Sequence, residues 1–206
     1  MKPTVFGKKV IKTIVYIIIA VLFLIPFWWM IVTSLKPPQE ILLYPPTLYP
    51  KEINLRNYVD IFKRVQLLTF FKNSIFVALG VTTVAVFTST MGGYIFAKFS
   101  FRGKNAFFMF ILSTIMVPLT VIVIPLYMMA IAVGLKNSLI ALIIPGWVNA
   151  LGIFLVRNFL ASIPDSYIEA ARIDGCSEFM IYLRIILPLL KPAIAAIFIF
   201  IFMTNW

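Results

Sequence analysis

Residues 169–188, EAARIDGCSEFMIYLRIILP, decide how this chain is read, because their polar members keep a fixed arrangement inside an otherwise apolar sequence. The stretch lies after four apolar segments and before a fifth. Ser166 stands three residues before Glu169, the S-x-x-E spacing of a capping box. In that arrangement the serine accepts the Glu169 amide hydrogen and the glutamate reaches back to the Ser166 amide. Gly175 is placed to end this short helix, since a left-handed terminal residue carries no Cβ penalty when it is glycine. Ser177 offers a second helix start, with Glu178 in the favourable first turn and Phe179, Tyr182 and Leu183 as the apolar stripe. Two short amphipathic helices joined at a glycine therefore stand outside the hydrocarbon, where another protein has access to them.

Composition fixes the class. The chain is 62% hydrophobic and 12% charged, with a mean hydropathy of +1.04. A soluble domain is about 45–50% apolar and about 25% charged, so this is an all-α, polytopic membrane protein. Its 206 residues leave room for several spans of about 20 residues each and for no separate soluble enzyme domain. The formal charge of +11 does not indicate nucleic acid, because the cations sit at the ends of apolar segments and form no basic stripe. A single cysteine, Cys176, rules out an intrachain disulfide and reads as filler of a small buried site in the loop.

Five spans are predicted, at residues 10–32, 73–97, 106–133, 138–160 and from about 185 to 206. The first opens like a signal peptide but carries Pro26, Trp28 and Trp29 where a cleavage site would lie, so it reads as an uncleaved helix with interfacial tryptophans. Residues 34–72 form a proline-broken cap or surface loop with a short helix at 57–64. The second span holds Thr82, Thr83, Ser89, Gly92 and Gly93, small residues that allow close helix contact and place it inside the bundle. Pro118, Pro125, Pro145 and Gly146 interrupt the third and fourth spans and read either as packing kinks or as breaks in moving helices. With the N-terminus in the cytoplasm, eleven of the 18 basic residues fall on that side, among them Lys2, Lys8, Lys9, Lys12, Lys98 and Arg172. This bias sets the orientation N-in and puts residues 166–184 in the cytoplasm.

The chemistry of catalysis is missing. There is no histidine, and the seven acids, Glu40, Glu52, Asp60, Asp165, Glu169, Asp174 and Glu178, avoid the middle of every span. That argues against a proton-driven carrier, and no catalytic residue and no metal site is expected. The sequence has no GxxxxGK[ST] phosphate loop, so ATP, if it supplies energy, is bound by a different chain. Asn73 and Asn149 are weak candidates for a solute path; the competing reading makes them helix caps or interhelical contacts. Glu169 either caps its helix or meets a partner, Asp174 either holds the turn at Gly175 or does the same, and Arg157 closes the fourth span as an interfacial cation.

The stretch resembles the EAA motif of membrane subunits of binding-protein-dependent ABC importers: EAA, a glycine four positions beyond the last alanine, nine residues, then I-x-L-P. Glu169, Ala170, Ala171, Gly175, Ile185, Leu187 and Pro188 match it in full. Further blocks, Asn57-Tyr58, Asn73-Ser74, Pro125-Leu126-Tyr127, Gly134-Leu135, Phe154-Leu155 with Arg157, and Ile163-Pro164, are similar to the maltose-type carbohydrate-uptake branch. The resemblance implies one permease domain over residues 1–206 of the type I ABC importer class. It also implies a C-terminally incomplete chain, a fragment lacking the usual sixth span. Residues 166–184 become its cytoplasmic coupling loop, with Tyr167, Ile168, Glu169, Ala170, Ala171, Arg172, Asp174 and Gly175 toward the ATPase. The implied partners are a second homologous permease subunit, a dimer of ATP-binding subunits and an extracytoplasmic solute-binding protein. ATP and magnesium would be used by the ATPase, and this chain would hold no cofactor. The setting is the prokaryotic inner membrane with its lipid. A permease for a non-sugar solute and a solo ion-coupled carrier are the alternatives.

Overall fold

The computed structural model describes residues 5–206, with side chains from residue 9 onward; Lys2 of the N-terminal basic cluster lies outside the described residues. By its contacts the chain falls into two compact units, Met1–Leu68 and Thr69–Trp206.

In the first unit, α1 (Val5–Ser34) runs 30 residues, about 45 Å at 1.5 Å per residue, enough to cross a bilayer with tilt. Its apolar side chains point outward on all sides from Val10 to Phe27, the pattern of a helix solvated by lipid. The proline-rich segment that follows is ordered around two buried charges. Glu40, on the short helix α2 (Pro38–Ile41), accepts hydrogen bonds from Thr47 Oγ1 at 2.6 Å and from the Lys51 amide at 3.1 Å. Lys36, 2% exposed, donates from Nζ to the Thr47 carbonyl and lies 4.7 Å from the Trp29 ring centroid. A buried charge is tolerable only with such partners. Helix α3 (Arg56–Arg64) matches the surface helix expected there, and Asn57 Nδ2 donates to the Ser34 and Lys36 carbonyls, tying α3 to the end of α1.

The second unit is built on α4 (Leu67–Lys98). This helix begins earlier than the sequence indicated, so that Lys72 lies within it; no proline or glycine occurs between residues 67 and 79 to stop it. α5 (Lys104–Ser113) tightens at Thr114–Met116 and is followed, after a 98° bend, by α6 (Leu119–Ala132). Pro118 is the cause. It sits outside the helix with ψ 138°, lacks an N–H, and drives Val117 to an extended ψ of 112°. The third span is thus broken and not merely kinked, whereas Pro125 stays inside α6. The fourth span is a single candidate crossing, Ile140–Ala161: α7 (Ile140–Ile143), a tight turn at Pro145–Gly146, then α8 (Ala150–Ala161). After α9 (Ser166–Ile173) and α10 (Glu178–Ile181), the helix widens over Tyr182–Ile186, continues as α11 (Leu187–Leu189), and bends by 78° into α12 (Lys191–Asn205). Counting each bent pair as one crossing gives up to five spans, as the sequence indicated.

α4 is the interior helix because small residues let its neighbour approach. A Cβ on Gly146 would lie 2.6 Å from Val81 Cγ1, and one on Gly93 would overlap Val156 on α8. Ser89 Oγ reaches the Asn149 carbonyl at 3.4 Å across the same seam. In lipid, where exclusion of water does not drive helices together, this kind of contact holds them. The largest core cluster joins Tyr94 of α4, Val156 and Leu160 of α8, Ile168 and Ala171 of α9, Ile181 of α10, Tyr182 and Ile186 of the widened turn, and Ile197 of α12.

Candidate functional site

The site is the α9–α10 element. α9 starts at Ser166, two residues after Pro164. Its flanking residue is Asp165, whose carbonyl accepts the amides of Ile168 at 2.9 Å and Glu169 at 3.0 Å. The expected capping box is therefore absent: Ser166 is already helical, and the Glu169 amide is satisfied by backbone. Asp165 Oδ1 does not cap the helix because it accepts a hydrogen bond from Lys98 Nζ at 2.6 Å. That bond, with the ammonium charge behind it, holds the Asp165 carboxyl below its ordinary value.

The far end follows the sequence reading. Gly175 has φ +77°, its amide donates to Arg172 O at 3.1 Å, and the Cys176 amide donates to Ala171 O at 2.9 Å. These are the paired bonds of a Schellman ending. Ser177 caps α10, accepting the Met180 amide on its side chain at 3.4 Å.

Helical phase then separates two faces. Ile168 and Ala171 are 2% and 6% exposed and belong to the chain's own core. They were grouped with the partner-facing residues on the strength of the motif; three residues apart, they share the inward side, and neither offers a contact surface. Outward lie Tyr167, Glu169, Ala170 and Ile173, the last 85% exposed. Ile173 had not been singled out. At 100° per residue it stands about 140° around the helix from Ile168, and an apolar residue so far out of phase with the buried pair was the available signal. Glu169 makes no side-chain hydrogen bond or ion pair among the described residues. Asp174 is exposed at the helix end, donating only its amide, to Ala170 O at 3.0 Å.

Arg172 is exposed and is engaged within its own element. Its Nε donates to Glu178 Oε1 at 2.6 Å, closing an ion pair within the element and holding the guanidinium further above its ordinary value. Glu178 Oε2 accepts a second bond, from the Tyr94 hydroxyl at 3.1 Å. Lys98 also donates to Ile163 O at 2.6 Å, and Thr90 Oγ1 lies 2.8 Å from the Tyr182 hydroxyl. The expected apolar stripe holds at Tyr182, which is buried, and is corrected at Phe179 and Leu183, which are exposed; Ile181 and Ile186, five residues apart across the widened turn, face inward with Tyr182.

The two asparagines are not brought together by any hydrogen bond. Asn149 caps α8, accepting the Gly152 amide on Oδ1 at 2.7 Å, so its side chain is already engaged. Asn73 is half-buried on the first third of α4. Arg157 donates from Nε to Phe96 O at 3.3 Å and stacks 4.0 Å from the Phe108 ring centroid. Among the described residues no three metal-ligating side chains converge. What the element offers is recognition: a rigid short helix with an acidic and apolar outer face, pinned to an interior span.

The arabinooligosaccharides transport system permease AraQ of Bacillus subtilis is 32% identical over 201 residues, covering 96% of this chain and 72% of the relative. The lactose transport system permease LacG of Rhizobium radiobacter is 31% identical, covering 91% of this chain and 68% of LacG. In structure, the chain is similar to a bacterial ABC transporter involved in the import of the acidic polysaccharide alginate, with a TM-score of 0.82 and 25% identity over 96% of this chain and 70% of that one. Residues 89–206 match the model of the binding-protein-dependent transport system inner membrane component, and the chain belongs to that family of membrane transport subunits.

Proposed function

We propose that the chain is the membrane-spanning subunit of an ATP-driven carbohydrate importer, coupled to separate ATPase subunits through the outer face of α9. The observation that carries this reading is the combination of Tyr167, Glu169, Ala170 and Ile173 on one exposed helix face with the lack of any phosphate loop in the sequence. A carbohydrate is favoured because the similar permeases are described as serving arabino-oligosaccharides and lactose, and the similar structure alginate import. The subunit pairs with a second homologous permease, docks two ATP-binding subunits that use ATP and magnesium, and receives solute from an extracytoplasmic binding protein. Its N-terminus and the α9–α10 element lie in the cytoplasm, on the inner side of the inner membrane.

In this reading Glu169 offers a charge-assisted contact to a basic group of the ATPase, Ala170 permits close backbone approach, and Ile173 fills an apolar pocket. Reconstitution of the full complex in proteoliposomes tests it. Labelled oligosaccharides should accumulate only with ATP, the ATPase and the binding protein present. Uptake restricted to amino acids or inorganic ions would overturn the carbohydrate assignment, and uptake without any ATPase would overturn the coupling.

A further inference from the structure

Thr90, Tyr94 and Lys98 recur every four residues along α4 and so form one stripe of the helix. Lys98 ends on the corner leading into the docking element, Tyr94 on α10 and Thr90 on the first residue of the turn that follows α10. Thr90 meets Tyr182, Tyr94 donates to Glu178, and Lys98 donates to both Ile163 O and Asp165. Water competes little for these bonds on the α4 side: Thr90 and Tyr94 are 1% and 3% exposed, Tyr182 is 2% exposed, and the Lys98 side chain is 7% exposed. Glu178 binds Tyr94 with one oxygen and Arg172 with the other, so one carboxylate joins α4, α9 and α10.

The other way out of the element is indirect: from α10 the chain passes through the widened turn Tyr182–Ile186 and a 78° bend before α12, so no straight helix leads from the element into α12. α4, in contrast, is interlocked with α8 where Gly93 receives Val156. A displacement of α9 therefore meets a direct, hydrogen-bonded path into α4 and an indirect one, interrupted by the turn and the bend, into α12. We propose that Thr90, Tyr94 and Lys98 are positioning residues that make α4 the strut through which movement of the docking face enters the membrane bundle, with Glu178 as its joint. This rests on the reading that α9 docks an ATPase.

The test uses the complete transporter in proteoliposomes and reads the ATP hydrolysed per solute imported, beside co-purification of the ATPase. Tyr94→Phe combined with Lys98→Met should raise that ratio about fivefold while co-purification holds. The charge exchange Lys98→Asp with Asp165→Lys should return the ratio to within about twofold of the starting protein. If the double variant does not fold, the near-isosteric Glu178→Gln takes its place. A purely space-filling stripe would lower hydrolysis and uptake in proportion, and an unchanged ratio would overturn the strut. Loss of ATPase co-purification already in the unmodified chain would instead refute the docking reading beneath it.

Discussion

Ile173→Ala isolates the docking face from the rest of the fold. Ile173 is 85% exposed, so it contributes little packing within its own chain. The substitution removes three carbon groups at about 0.8 kcal/mol per buried CH₂, roughly 2 kcal/mol once incomplete burial is allowed for. At 1.4 kcal/mol per factor of ten, affinity for the ATPase falls about 30-fold. The assay is equilibrium binding of the purified ATPase to the membrane subunits in nanodiscs, with thermal unfolding measured on the same preparation. Unfolding should be unchanged within about 0.5 kcal/mol, as for other surface positions. Ile168→Ala supplies the opposite signature: that residue is 2% exposed in the core, and its truncation should destabilise the chain by about 2–5 kcal/mol. A binding change under about threefold for Ile173→Ala, with folding intact, would remove Ile173 from the interface and with it the outward-face reasoning.

Gly175→Ala should destabilise the subunit by roughly 1–2 kcal/mol in detergent unfolding, because φ is +77° while the space around a new Cβ is open; the cost is backbone strain alone. Gly93→Val should cost more, about 1–3 kcal/mol from overpacking alone, since its side chain would overlap Val156 and come within 3.0 Å of the Arg157 amide nitrogen. A thermal melt of the two variants side by side checks the order. The Asp165–Lys98 pair gives a pH signature. Because the folded carboxyl titrates below its ordinary 3.8, the pair's stabilisation is complete above that value and is lost as pH falls through the folded value. Melting curves of the native chain and Asp165→Asn should differ at neutral pH and converge in strong acid; a constant gap would show that the pair contributes nothing.

Much of this was legible in the sequence for physical reasons. Continuous apolar runs gave the spans, and Gly175 with Ser177 gave the joint between α9 and α10, since both signals are local. What escaped depended on contacts distant in sequence. The capping box failed because α9 opens a residue earlier than the Ser166 spacing suggested, which leaves the Glu169 amide bonded to the Asp165 carbonyl; the Asp165 carboxylate is in turn held by Lys98, 67 residues before it. Ile168 and Ala171 were assigned outward because a motif names residues without saying which way the helix is turned. The 98° break was undecided between kink and fracture until Val117 and Pro118 adopted extended backbone.

The disposition of the acids shows why the element suits recognition. The second unit holds four of them, and two are committed internally: Asp165 to Lys98, and Glu178 to Arg172 and Tyr94. Both lie at the base of the element, where their bonds fix its position. Glu169, midway along α9, and Asp174, just past its end, are exposed and make no side-chain ion pair among the described residues. In a chain of formal charge +11, these two carboxylates, exposed and without an ion-pair partner among the described residues, give α9 one small acidic surface around Ala170 and Ile173. Such a surface steers a basic partner and rejects an acidic one, while the apolar Ile173 supplies the affinity. On the proposed docking, specificity and attachment would reside on the same two turns of helix, while the paired acids beneath hold those turns to α4 and α10.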